Sequence, residues 1–151
     1  MEGQRPDETE AQRLDRNLDE LLGGLRVALP GVQVLFAFLL VLPFQSRYNL
    51  VTGFQEAVYY VTLLATALAS VCFIGPTARH RLRFRKEDKA YIVFSSNRLA
   101  IAGLVFLSVA FLGAIVLVSD FIFGAGAAIA SGVVLSVAVV WTWFASPLLR
   151  D

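Results

Sequence analysis

LRVALPGVQVLFAFLLVLPFQSR, residues 25–47, carries no charged side chain between Val27 and Phe44. A helix of about 20 apolar residues crosses the ~30 Å hydrocarbon core of a bilayer, and this stretch nearly reaches that length. Three more stretches share its character: 57–78, 99–119 and 121–149 are also free of charge. A soluble helix of such length keeps one polar face, and these keep almost none. The chain is 57% hydrophobic, above the roughly 45–50% of soluble domains. The sequence therefore predicts an all-α protein, a bundle of four transmembrane helices built as two hairpins. The spans fall at about 27–44, 57–74, 99–118 and 122–144, within one membrane domain over 27–146.

Inside the first stretch, Pro30, Gly31 and Gln33 interrupt the apolar run. Proline is tolerated in the first turns of a helix, where amide donors lack partners anyway, so Pro30-Gly31 reads as an entry bend. Gln33 lies roughly 9 Å beyond Val27 at 1.5 Å per residue. Its amide needs a partner from another helix, another subunit or trapped water.

The flanks are polar. Residues 1–12 read as disordered, and nothing in the acidic first twenty residues resembles a cleavable signal peptide. Over 13–26, Leu14, Leu18, Leu21, Leu22 and Leu25 recur at helical spacing among charges. That pattern predicts an amphipathic helix at the cytoplasmic face, with Gly23-Gly24 as a hinge to the first span. Thr52 and Gln55 have the spacing of a capping box that starts the second helix. Gly75-Pro76 reads as its stop, and Asp120 is placed in the turn between spans three and four. Tyr48, Phe54, Tyr59, Tyr60, Trp141 and Trp143 suit the aromatic belts at membrane interfaces. Residues 147–151 form a short tail.

Charge sets the expected orientation. Between spans two and three lie Arg79, Arg81, Arg83, Arg85, Lys86, Lys89 and Arg98, against Arg47 alone in the other two loops. The positive-inside rule makes the basic segment cytoplasmic, and with it both termini. The expected location is the bacterial cytoplasmic membrane.

Gly124, Ala128, Gly132 and Ser136 repeat every four residues along span four. Such a small-residue stripe lets two helix backbones approach closely, here spans three and four of one chain or two subunits. Gly103, Ala110 and Ala114 offer the matching side of span three. In span two, Tyr59, Thr62, Thr66 and Ser70 fall within an arc of roughly 80°. Their hydroxyls either bond between and within helices or line an ion path.

Catalytic constellations are missing from the sequence. His80 has no local nucleophile partner, no Gly-rich phosphate loop follows a strand, and the lone Cys72 reads as small apolar packing. We expect no enzymatic activity, no cofactor and no metal. The spans hold no ionisable group of the kind that proton-coupled transporters place in the membrane. Glu56 and Asp120 stand as charges at the outer mouth; Asp19, Glu20 and Arg26 stand at the inner end. Arg79, His80, Arg81, Arg83, Arg85 and Lys86 lack any nucleic-acid fold around them and read as contacts to anionic lipid headgroups or to a partner protein.

The segments LDRNLDELLGGLRVALPGVQVLFAFLLVLPF, FQEAVYYVTLL and GPTARHRLRFR resemble an uncharacterised family of small bacterial four-span membrane proteins, some of which are labelled sodium:proton antiporters. The likeness runs over about residues 8–120 and implies membrane location. Two functions follow as expectations. One is a homo-oligomeric ion channel or transporter, with Gln33 and the span-two hydroxyls along the path. The other is a non-transporting scaffold or accessory subunit that holds a partner or anionic lipid through its amphipathic helix and basic loop.

Overall fold

In a computed structural model of the chain, residues 9–46, 48–82 and 89–149 are described. The described part is all helical. Helix α1 covers Glu10–Val41, α2 Gly53–Leu82, α3 Lys89–Phe123 and α4 Ala125–Val139. After α4 the chain continues through a π-helical turn, Val140–Ala145, into a last α turn, Ser146–Leu148. α1, α2, α3 and the continuous run Ala125–Leu148 that begins with α4 are each long and apolar enough to cross a membrane.

α1 is a single helix of 32 residues. It starts at a capping box in which Thr9 and Gln12 each bond the other's backbone, so the polar N-terminal residues Thr9 to Gln12 are ordered by a motif of the same form as Thr52-x-x-Gln55. The helix does not break at Gly23-Gly24, and Pro30 lies inside it. The reason is a continuous packing seam. Leu14, Leu18, Leu21, Leu25, Ala28, Val32, Leu35 and Leu39 alternate spacings of four and three, and every one is buried or half-buried. A seam of this period keeps one face of a helix against its neighbours. It offsets the roughly 1 kcal/mol that each glycine costs a helix interior. The amphipathic segment and the first span are thus one rod.

α2 is the central helix. Its seam, Gln55, Tyr59, Thr62, Thr66, Ala69, Phe73 and Pro76, has the same alternation and is buried throughout. Pro76 does not stop the helix, which runs on to Leu82. Its ring is fully buried in the packing, where neighbouring helices tolerate a proline that isolated helices do not. α3 meets α2 through Gly103, whose missing Cβ leaves room for the ring of Phe73, and through Gly113, which faces Thr62 Oγ1 and Cβ. Leu25 and Val32 of α1, Ala69 and Phe73 of α2, and Leu107 of α3 form the core cluster. Gly103 and Gly113 therefore face α2, although the small-residue pattern matches Gly103 to span four.

Among the described helices α4 packs on α3 alone, so the bundle is a three-helix core with a fourth helix laid against one of its members. The turn before it is a single residue, Gly124, with φ +85°, a left-handed conformation that suits glycine. Gly124 is thus the joint of the hairpin, and Asp120 belongs to the last turn of α3. Of the expected stripe, Ala128 is buried, Gly132 faces Val116 and Ser136 is half-buried. Ser131 adds a hydroxyl bond to Ser119 at 3.0 Å. Near the end of the chain, Pro147 has no N–H for the carbonyl of Trp143 four residues before, and the π turn immediately upstream accommodates the defect. There Trp143 meets Phe111 edge-on, with ring centroids 6.1 Å apart, while Trp141 stays exposed.

Candidate functional site

The ends of α1, α2 and α3 opposite the basic segment converge on one polar node. Gln55, in the first turn of α2, accepts from the Thr52 N–H at 3.1 Å, while its own N–H donates to Thr52 Oγ1 at 3.3 Å. That is the expected capping box. The same Gln55 side chain then reaches across to α3, where Nε2 donates to Asp120 Oδ2 at 2.8 Å. A carboxylate at a helix C-terminus opposes the helix dipole, whereas one beside an N-terminus is favoured. Asp120 ends α3 but borders the start of α2, and Gln55 holds it there.

One turn further along α2, the buried Tyr59 hydroxyl donates to the Leu39 carbonyl at 3.0 Å. In an unbroken helix that carbonyl would receive the N–H of residue 43, which is Pro43 and has none. Leu42 N–H supplies one bond to it, and Tyr59 supplies the other. Tyr48 meets Tyr59 edge-on at 6.0 Å. Beside the node lies a cavity of about 260 Å³ whose walls include Leu42, Tyr48, Gln55, Tyr59, Leu117 and Phe121. The polar groups of Gln55 and Tyr59 are already spent, so the cavity suits an apolar body. Replacing Gln55 with leucine removes the cap and strips Asp120 of its donor. We expect a loss of about 2–3 kcal/mol, read as a lower melting temperature in detergent, with the exposed Glu56→Gln variant unchanged.

The remaining candidate residues fall in three places. Thr62 Oγ1, Thr66 Oγ1 and Ser70 Oγ each donate to the carbonyl four residues before, at 2.6, 2.7 and 3.0 Å. They satisfy themselves on their own helix, and Thr62 and Thr66 are buried. Gln33 is exposed on the outer face of α1 beside the wholly buried Val32. Arg26, Pro30, Ala37 and Phe44 are exposed with it, so Gln33 lies on the outward face of the first span. At the polar end of α1, Arg16 pairs with Glu20 at 3.4 Å, and Asp19 is exposed. At the basic end, Arg79 is half-buried and Arg81 exposed. Arg83, Arg85 and Lys86 lie outside the described residues, as does the side chain of His80. Among the described residues, no cluster of His, Cys, Asp and Glu is placed to hold a metal ion.

Sequence reasoning took Gln55 only as a cap and missed its bond to Asp120. It also missed the Tyr59–Leu39 bond, although a proline four residues after an apolar position marks a carbonyl in need of a donor.

Four long apolar helical runs, three around one core and the fourth laid on α3, make this a small polytopic membrane protein. Residues 7–147 match the family of unknown function DUF6328, and the chain belongs to that family. No curated protein and no solved structure matches it.

Proposed function

We propose that the protein is a non-transporting scaffold or accessory component of the bacterial cytoplasmic membrane. In this reading it has no enzymatic activity, and both termini and the basic segment lie on the cytoplasmic side. The observation that carries it is the closure of the α2 hydroxyls. Thr62, Thr66 and Ser70 bond their own backbone, and Thr62 sits against Gly113. The polar stripe best suited to an ion path is thus filled with protein. The polar end of α1 then supplies contacts to a partner protein, and the basic end, through Arg79, supplies those to anionic lipid. Purification in mild detergent tests the reading. A foreign subunit in fixed stoichiometry is the expected result; sodium or proton flux into proteoliposomes above that of empty vesicles would overturn it.

One observation favours the transport reading: the amide of Gln33 is exposed on an apolar helix face. An amide both donates and accepts, so two copies of Gln33 can bond one another across a subunit interface, and a ring of them would give a path between subunits polar walls. Gln33→Leu separates the possibilities. An interhelical hydrogen bond in a membrane contributes about 0.6–1.7 kcal/mol, so we expect association to weaken by about 3- to 20-fold per bond. This is measured by the oligomer–monomer ratio on dilution in detergent. An unchanged ratio removes Gln33 from the interface, and flux lost together with association would favour the path.

A further inference from the structure

At the basic end, the last turns of α2 and the first turns of α3 enclose a cleft of about 510 Å³. It is lined by Arg79, Tyr91, Phe94, Ser95, Arg98 and Leu99. Arg79 is the first charge after the charge-free stretch of α2, and Arg98 is the last before that of α3. Both guanidinium groups therefore stand where the apolar spans end, at the depth of lipid phosphates. None of the lining residues is a carboxylate. Arginine presents a planar fork of donors that matches phosphate oxygens. Phe94 and Tyr91 are exposed beside the cleft and offer an apolar flank.

A second observation lies one turn away. Ser95 Oγ donates to the Ile92 carbonyl at 3.2 Å. Ser96, four residues after Ile92, would ordinarily send its hydroxyl to that same carbonyl. It does not, and Ser96 Oγ is buried without a partner among the described residues. A buried hydroxyl left unpaired is costly. An anion in the cleft resolves the conflict. If Ser95 turns its proton to the anion, the Ile92 carbonyl is released to Ser96, and every hydroxyl is satisfied.

We propose that this cleft binds one phosphate group, held by Arg79, Arg98 and the Ser95 hydroxyl, and carried by an anionic phospholipid. The site rests on the lipid contact proposed above for the basic end and narrows it to a single place. Native mass spectrometry of the full chain in mild detergent, titrated with phosphatidylglycerol, provides the test. One lipid per chain is expected to bind tightly, and diacylglycerol, which has no phosphate, is expected not to bind. Arg79→Gln and Arg98→Gln should each weaken binding about tenfold or more, and Ser95→Ala about threefold. Arg81→Gln removes the same charge outside the cleft and should leave affinity within about twofold. Arg98→Lys, which keeps the charge but loses the fork, should bind better than Arg98→Gln yet below wild type, which separates a binding defect from a folding defect. Displacement of the lipid by millimolar inorganic phosphate would keep the site but make free phosphate its ligand. Equal losses in Arg81→Gln and Arg98→Gln would overturn the cleft while leaving diffuse lipid contact at this end intact. Wild-type protein that retains no anionic lipid would overturn both.

Discussion

Replacing Gly103 with leucine will leave little folded protein. A Cβ at this position would press on the Cδ1–Cε1 edge of the Phe73 ring, closer than real carbon contacts allow. The ring is wholly buried in the central cluster and has no open side to move to. Overpacking a core costs about 1–3 kcal/mol when side chains can adjust. Here the ring is wholly buried against Gly103, so α2 and α3 must separate along their most extensive contact. In a bilayer that separation is not opposed by the hydrophobic effect, because lipid tails are as apolar as the helix faces; close packing holds the helices together. We expect loss of the monodisperse peak in detergent and of the cooperative melt. At the exposed Gly126, an added methyl meets nothing within 4 Å, so alanine should be accepted there without change.

Phe73→Ala should destabilise the same contact from the other side. In aqueous cores Phe→Ala costs about 3–5 kcal/mol, part of it lost transfer energy and part an unfilled cavity. The transfer part shrinks in lipid, so about 2 kcal/mol is expected, read as a lower melting temperature with the fold retained. The two substitutions are complementary in volume. The double variant Phe73→Ala/Gly103→Leu should recover much of what Gly103→Leu loses, because leucine then enters the space that the ring vacates. Additive losses in the double variant would show that the two residues do not share that space.

The architecture was legible in the sequence because lipid imposes a blunt rule: four charge-free runs of the right length become four helices. Helix ends were harder to place. Gly75-Pro76 and Gly23-Gly24 are breakers by local propensity, yet tertiary packing overrides them: Pro76 is buried in a seam, and the Leu14–Leu39 seam carries α1 past its glycines. That seam was visible as alternating spacings of four and three, but its polar first half and apolar second half read as separate segments. The loop-end node was half legible. Thr52 and Gln55 show their local cap, whereas the reach of Gln55 to Asp120 depends on how the second and third helices pair, which spacing along one chain does not encode. The cleft at the basic end was hidden for the same reason, since Arg79 and Arg98 are neighbours only once α2 and α3 are folded back on one another.

The absence of a joint in α1 has a mechanical consequence. Asp19, Arg26 and Gln33 are spaced seven apart and all exposed, so they form a nearly straight line drifting by only ~20° per step. Asp19 stands about 21 Å along the axis from Gln33 at 1.5 Å per residue. The seam that holds the opposite face of α1 fixes this line outward, so a partner lying along it meets Asp19, Arg26 and Gln33 at set spacing and on one side.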